Sequence, residues 1–132
     1  MVSRLEMVLK ELNENGNFRA SLFSTSTGLV LASQKGGDVD ERVVAAMGSL
    51  LSDAAYKAGE EMELTDFTSM NIKYKEDYII CRNIAMPDGK TEFILAVLSK
   101  LPESGDVEKY YEQLIDWAVD NSQADLEKLS MI

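Results

Sequence analysis

Residues 93–98 read Phe-Ile-Leu-Ala-Val-Leu, six apolar positions without a polar interruption. Side chains on a β-strand alternate between two faces. A strand that is apolar at every position is therefore apolar on both sides and must be covered on both sides. Residues 29–32, Leu-Val-Leu-Ala, carry the same signature. A sheet with one face open to water does not satisfy these segments, so the expectation is a sheet enclosed between two layers of helices.

The rest of the chain supplies those layers. Ser3 and Glu6 form a capping-box pattern, with Val2 and Met7 placed to staple it, and open a helix over residues 3–14. Leu5, Val8, Leu9 and Leu12 share its apolar face, and Asn15-Gly16 is the expected stop. Two strand-like runs follow, 18–24 and 28–33, joined by Thr25-Ser26-Thr27. Asp38 and Glu41 form a second capping pattern before a long helix from Val39 to Met62. Three more strands are expected in 66–74, 78–85 and 91–99, linked by Lys75-Glu76-Asp77 and by Pro87-Asp88-Gly89. A last helix begins near Asp106, with Val107, Tyr110, Tyr111, Leu114, Trp117 and Ala118 as its apolar face. The order is αββαβββα. Hairpin-length links imply an antiparallel sheet, with the long helix on one face and the first and last helices on the other.

Composition removes several classes of function. The chain has 132 residues, enough for one compact domain, with 45% hydrophobic and 27% charged residues. Its net charge of −10 argues against nucleic acid or an anionic membrane as partner. No apolar run approaches the ~18 residues of a membrane span, and the N-terminus lacks a signal-peptide pattern; a cytoplasmic location is expected. There is no histidine and a single cysteine, Cys81, in an apolar strand. Zinc sites of Cys and His, and triads with a histidine base, are excluded, and no cofactor is expected. A hydrolase built on carboxylates alone is disfavoured, since no acid pair stands out by spacing. The hydroxyl-rich stretch Ser24-Thr25-Ser26-Thr27-Gly28 has the composition of a phosphate loop. Gly28, however, feeds a strand rather than a helix N-terminus, and no basic residue lies between Arg19 and Lys35. It reads as a hairpin tip.

The long helix is the segment most informative about function. Val43, Val44, Met47, Leu50, Leu51, Ala54, Ala58 and Met62 gather on one side, which reads as a core face. Ala45, Gly48, Ser52, Ala55 and Gly59 form a second stripe of small residues, roughly 120° away at about 100° per residue. A glycine inside a helix costs about 1 kcal/mol relative to alanine, so close packing is expected to compensate for the two here. Either the helix lies close on its own sheet through this stripe, or the stripe meets its twin in a second subunit across a two-fold axis. The second arrangement is the expected one. The mixed polar and apolar strand after the helix reads as an edge strand, a pairing template for the same second subunit.

In element order and spacing the chain resembles the roadblock/dynein light chain family over roughly residues 1–100. The resemblance rests on Leu22–Ser33 as first hairpin, Val43–Met62 as small-residue helix, and 78–84 and 93–99 as late strands. It implies a roadblock/profilin-like three-layer α/β/α sandwich on a five-stranded antiparallel sheet, over residues 1–102. Residues 103–132 would be a helical extension packed on the same domain, whose tail from 120 onward is left without an assigned role. The resemblance further implies a non-catalytic homodimeric scaffold that binds a small Ras-like GTPase. The dimer seam would map onto Ala45, Gly48, Ser49, Ser52, Ala55, Tyr56 and Gly59, with Thr68, Ser69, Met70, Asn71 and Ile72 on the edge strand. A ligand-sensing module, or a light-chain-type adaptor without a GTPase partner, is the alternative. Convergent polar residues would favour the sensor, and no such cluster is legible in the sequence.

Overall fold

The computed structural model describes residues 3–131, so Val2, half of the expected staple, lies outside the described residues. The elements run α1 (Arg4–Gly16), β1 (Ala20–Thr25), β2 (Val30–Lys35), α2 (Glu41–Glu61), β3 (Ser69–Lys73), β4 (Asp77–Ala85), β5 (Glu92–Lys100) and α3 (Gly105–Ser130). The sheet order is β2-β1-β5-β4-β3, and every pairing is antiparallel.

β5, the uninterrupted apolar strand, sits at the centre of the sheet. Phe93, Leu95 and Val97 enter a large core with residues of α1 and α3, while Ile94 and Ala96 enter a smaller one with Ala45 of α2. Covering both faces is what its sequence requires. In β2 a bulge opposite Phe23 and Ser24 breaks the alternation. Val30 packs toward the α2 side and Leu31 and Ala32 toward the other, whereas Leu29 lies outside the strand and is exposed.

Local chemistry sets the helix ends, with some departures from expectation. The Ser3 hydroxyl accepts from the Glu6 N–H at 3.1 Å, as the capping box demands. The left-handed residue closing α1 is Asn17 (φ 52°), not Gly16, which stays helical. Gly16 serves close approach instead: a Cβ there would lie 2.4 Å from the Phe18 ring. Asp40, not Asp38, caps α2, its carboxylate accepting from the Arg42 N–H at 3.0 Å. The 24–28 stretch forms a hairpin tip, with Gly28 at φ 95° and the Thr25 hydroxyl accepting from the Leu29 N–H at 3.0 Å.

α3 continues through residue 130, so the tail from 120 is a helical cover rather than a free arm. Its buried side is Ile115, Ala118, Ser122 and Leu126, and Tyr110 is turned outward. Its flank carries Glu108, Glu112 and Asp116, one turn apart, facing polar side chains of β3 and β4. Tyr78 Oη donates to Glu108 at 2.9 Å, Asn71 Nδ2 to Glu112 at 3.3 Å, and Arg82 Nη1 to Asp116 at 2.6 Å.

Candidate interaction surface

In α2 the small-residue stripe faces inward and most of the expected core face is turned outward, although Val44 packs against the smaller core as expected. Ala45, Gly48 and Ser52 are the buried residues of α2, and they lie on the protein's own sheet. A Cβ on Gly48 would stand 3.6 Å from Cγ2 of Ile94, which shows how closely the helix approaches β5. These three expected seam positions are thus covered within the protomer. Val43, Met47, Leu50 and Met62, expected in the core, are 57%, 48%, 65% and 62% exposed. Space is the physical reason. A helix packed at this separation leaves no room beneath it for Met or Leu, so the small residues go under and the large ones outward.

Of the other expected seam residues, Ser49, Ala55, Tyr56 and Gly59 are half-buried. Ser49 is fastened to the hairpin tip, its hydroxyl donating to the Ser26 carbonyl at 2.8 Å. Ala55, Tyr56 and Gly59 line a groove of about 440 Å³ between α2 and the segment entering β3, together with Met62 and Met70. β3 is an edge strand, as its composition suggests, paired with β4 alone. Thr68, Ser69 and Asn71 are exposed, while Met70 and Ile72 are half-buried. Met70 and Ile72 pair with Cys81 and Ile79, which belong to the core on the α2 side, so they share the face of the sheet that α2 covers. The end of the outward stripe of α2, at Ala58 and Met62, the exposed Leu64 and Met70 of β3 line this one groove.

Behind this surface lies a polar cluster that the sequence analysis missed. Tyr56 Oη donates to the Glu92 carboxylate at 2.6 Å and accepts from Asn83 Nδ2 at 3.1 Å. Burial, together with the hydrogen bond to Glu92, pushes the Tyr56 hydroxyl up to about 12, so it remains a donor at neutral pH. Burial also raises Cys81, to about 11, which keeps it an unreactive thiol within the smaller core. Among the described residues there is no grouping of three or more Cys, Asp or Glu that could hold a metal ion, and no helix is long and apolar enough to cross a membrane.

Comparison with known proteins gives this geometry its relatives. An uncharacterized protein of Methanocaldococcus jannaschii is 38% identical over 63 residues, which are 48% of this chain and 53% of that protein; the match spans about half the length of either. Among solved structures, MglB of Myxococcus xanthus superposes with a TM-score of 0.79 at 13% identity, covering 96% of this chain and 97% of that one. Profilin IA of Acanthamoeba castellanii superposes at 0.60 with 13% identity over 91% and 97% of the two chains, so the architecture is profilin-like. At these identities the structures speak for the fold. The Roadblock/LC7 domain model matches residues 4–99, from the start of α1 to the penultimate residue of β5. The chain is a member of the Roadblock/LC7 family.

Proposed function

We propose that the protein is a non-catalytic, homodimeric scaffold that binds a small Ras-like GTPase. The observations that carry the reading are the exposed apolar stripe of α2, the open edge of β3, and the groove in which Met62 at the end of that stripe meets Met70 of β3. An unpaired strand edge is a template for another strand, and a row of exposed Val, Met and Leu beside it seeks cover. A two-fold axis beside β3 satisfies both at once. β3 pairs with its symmetry mate, and the α2 helices meet through Val43, Met47, Leu50 and Ala54. In this arrangement Thr68 to Ile72 keep the role expected from the sequence, and Ala55, Tyr56 and Gly59 lie at the flank of the seam. Ala45, Gly48 and Ser52 are replaced by the aliphatic stripe. Residues 1–102 form the roadblock unit and 103–132 its extension.

Family membership supports the GTPase as partner, since members of the family bind and regulate such proteins. The joined helices and sheet create a surface that neither subunit has alone. The test is light scattering for mass, followed by calorimetry with purified Ras-like GTPases loaded with GDP or a non-hydrolysable GTP analogue. The expected result is a dimer that binds at least one of them in a nucleotide-dependent way. A monomer, or a dimer that binds none in either state, would refute the proposal.

A further inference from the structure

α2 is not uniformly close to the sheet. At Gly48 the helix rests on Ile94. Two turns further on, the Tyr56 ring sits between helix and sheet, edge-on against Phe67 with ring centroids 5.7 Å apart. Beside it lies a cleft of about 360 Å³, with Ile94 as its apolar wall. Seven polar residues line it, among them Ser52 and Tyr56 of α2, Asn83 of β4 and Glu92 of β5; a second carboxylate, Asp53, is already paired with Lys57 at 3.0 Å.

Their hydrogen bonding is incomplete in a particular way. Asn83 Nδ2 donates to Tyr56 Oη and to the Phe67 carbonyl, the latter at 3.3 Å. Glu92 receives only the Tyr56 hydroxyl proton, shared between its two oxygens. A carboxylate has about four acceptor positions, so this one has capacity left. It also has no Lys or Arg partner within 4.0 Å among the described residues. Ser52 is 6% exposed as a residue, and its hydroxyl, open to the cleft, makes no hydrogen bond among the described residues. The half-buried carboxylate without a counter-ion and the cleft-facing hydroxyl without a protein partner both keep hydrogen-bonding capacity that a bound molecule can use.

We propose that this cleft binds a small organic cation, an alkylammonium or alkylguanidinium, and that the protein is thereby ligand-responsive. Glu92 is the counter-charge, held in place by Tyr56 and Asn83. Ser52 is the second polar contact, and Ile94 receives the alkyl chain. At roughly 30 Å³ per water-sized group the cleft has room for about ten non-hydrogen atoms. The net charge of −10 raises the local concentration of cations around the molecule. The inference goes beyond the scaffold reading and does not depend on it, because the test uses the protein alone.

Agmatine, which carries both cationic groups, is the probe. It is titrated into isotopically labelled protein followed by amide NMR, with 1-butanol as neutral control and capped arginine as mimic of a partner's side chain. The expected result is saturable shifts at Ser52, Tyr56, Asn83 and Glu92, with a dissociation constant on the order of 1 mM or tighter. Glu92→Gln should weaken binding roughly 10- to 100-fold, the value of a charge-assisted hydrogen bond. Ser52→Ala removes a hydroxyl without a protein partner, so it should leave thermal stability unchanged or raised while weakening agmatine several-fold. That combination separates a ligand contact from a structural one, and it holds whether or not Glu92→Gln folds. Shifts scattered over the acidic surface, equal affinity in Ser52→Ala or in a folded Glu92→Gln, or a response to butanol or capped arginine alone would overturn the proposal.

Discussion

Leu50→Asp and Gly48→Leu, on adjacent stripes of one helix, should have opposite consequences. Leu50 is 65% exposed in the protomer. Fully burying a leucine contributes roughly 1.5–3 kcal/mol, so covering what remains of Leu50 is worth about 1–2 kcal/mol per copy. A two-fold interface counts it twice, giving about 2–4 kcal/mol, a factor of roughly 30 to 1,000 in the dimer dissociation constant. Aspartate also places a carboxylate in the seam and adds a desolvation cost. The protomer should be nearly indifferent, since substitutions at exposed positions stay within about 0.5 kcal/mol. Gly48→Leu acts on the other side. A Cβ fits at 3.6 Å from Ile94, but the branch beyond it has nowhere to go. Overpacking of this kind costs about 1–3 kcal/mol, a fall in Tm of several degrees. Sedimentation velocity across a dilution series and thermal melts monitored by circular dichroism read the two quantities separately. Leu50→Asp should dissociate with its monomer fold intact, and Gly48→Leu should melt early. A Leu50→Asp protein that dimerised with wild-type affinity, or a Gly48→Leu protein that became a stable monomer, would refute the placement of the two faces in the proposed dimer.

The docking of α3 should have a defined pH window. The Tyr78 hydroxyl, then Lys73, hold Glu108 below its usual value of 4.5, so its contribution is full above that value and is lost as pH falls through the lowered one. Burial and the bond to Glu108 push Tyr78 up to about 12, so its contribution is full below 10 and lost as pH rises through about 12. Trp117 fluorescence, from the only tryptophan and one placed on α3, should be flat between these limits and change outside them; a transition near pH 7 would contradict the assignment. Cys81, buried and with its thiol raised to about 11, should resist alkylation in the native state and react fully in denaturant. Rapid native labelling would show that the core beneath α2 opens readily.

The sequence by itself determined the architecture wherever a requirement was local or self-contained. Phe93–Leu98 is apolar on both faces, and it could only be central and covered twice. Gly28 feeding a strand made the hydroxyl stretch a hairpin tip, and Ser3 with Glu6 set the start of α1. The tertiary structure alone decided which stripe of α2 faces inward. Periodicity shows two apolar stripes but carries no measure of the gap between helix and sheet. That gap favours Ala45, Gly48 and Ser52 over Met47 and Leu50, against the order of their hydrophobicity. The polar cluster was beyond reach for a different reason. Tyr56, Asn83 and Glu92 belong to three elements and meet only because β4 and β5 pair in one register and Tyr56 reaches both from α2. No spacing along the chain encodes a cluster whose members come from two layers of the fold.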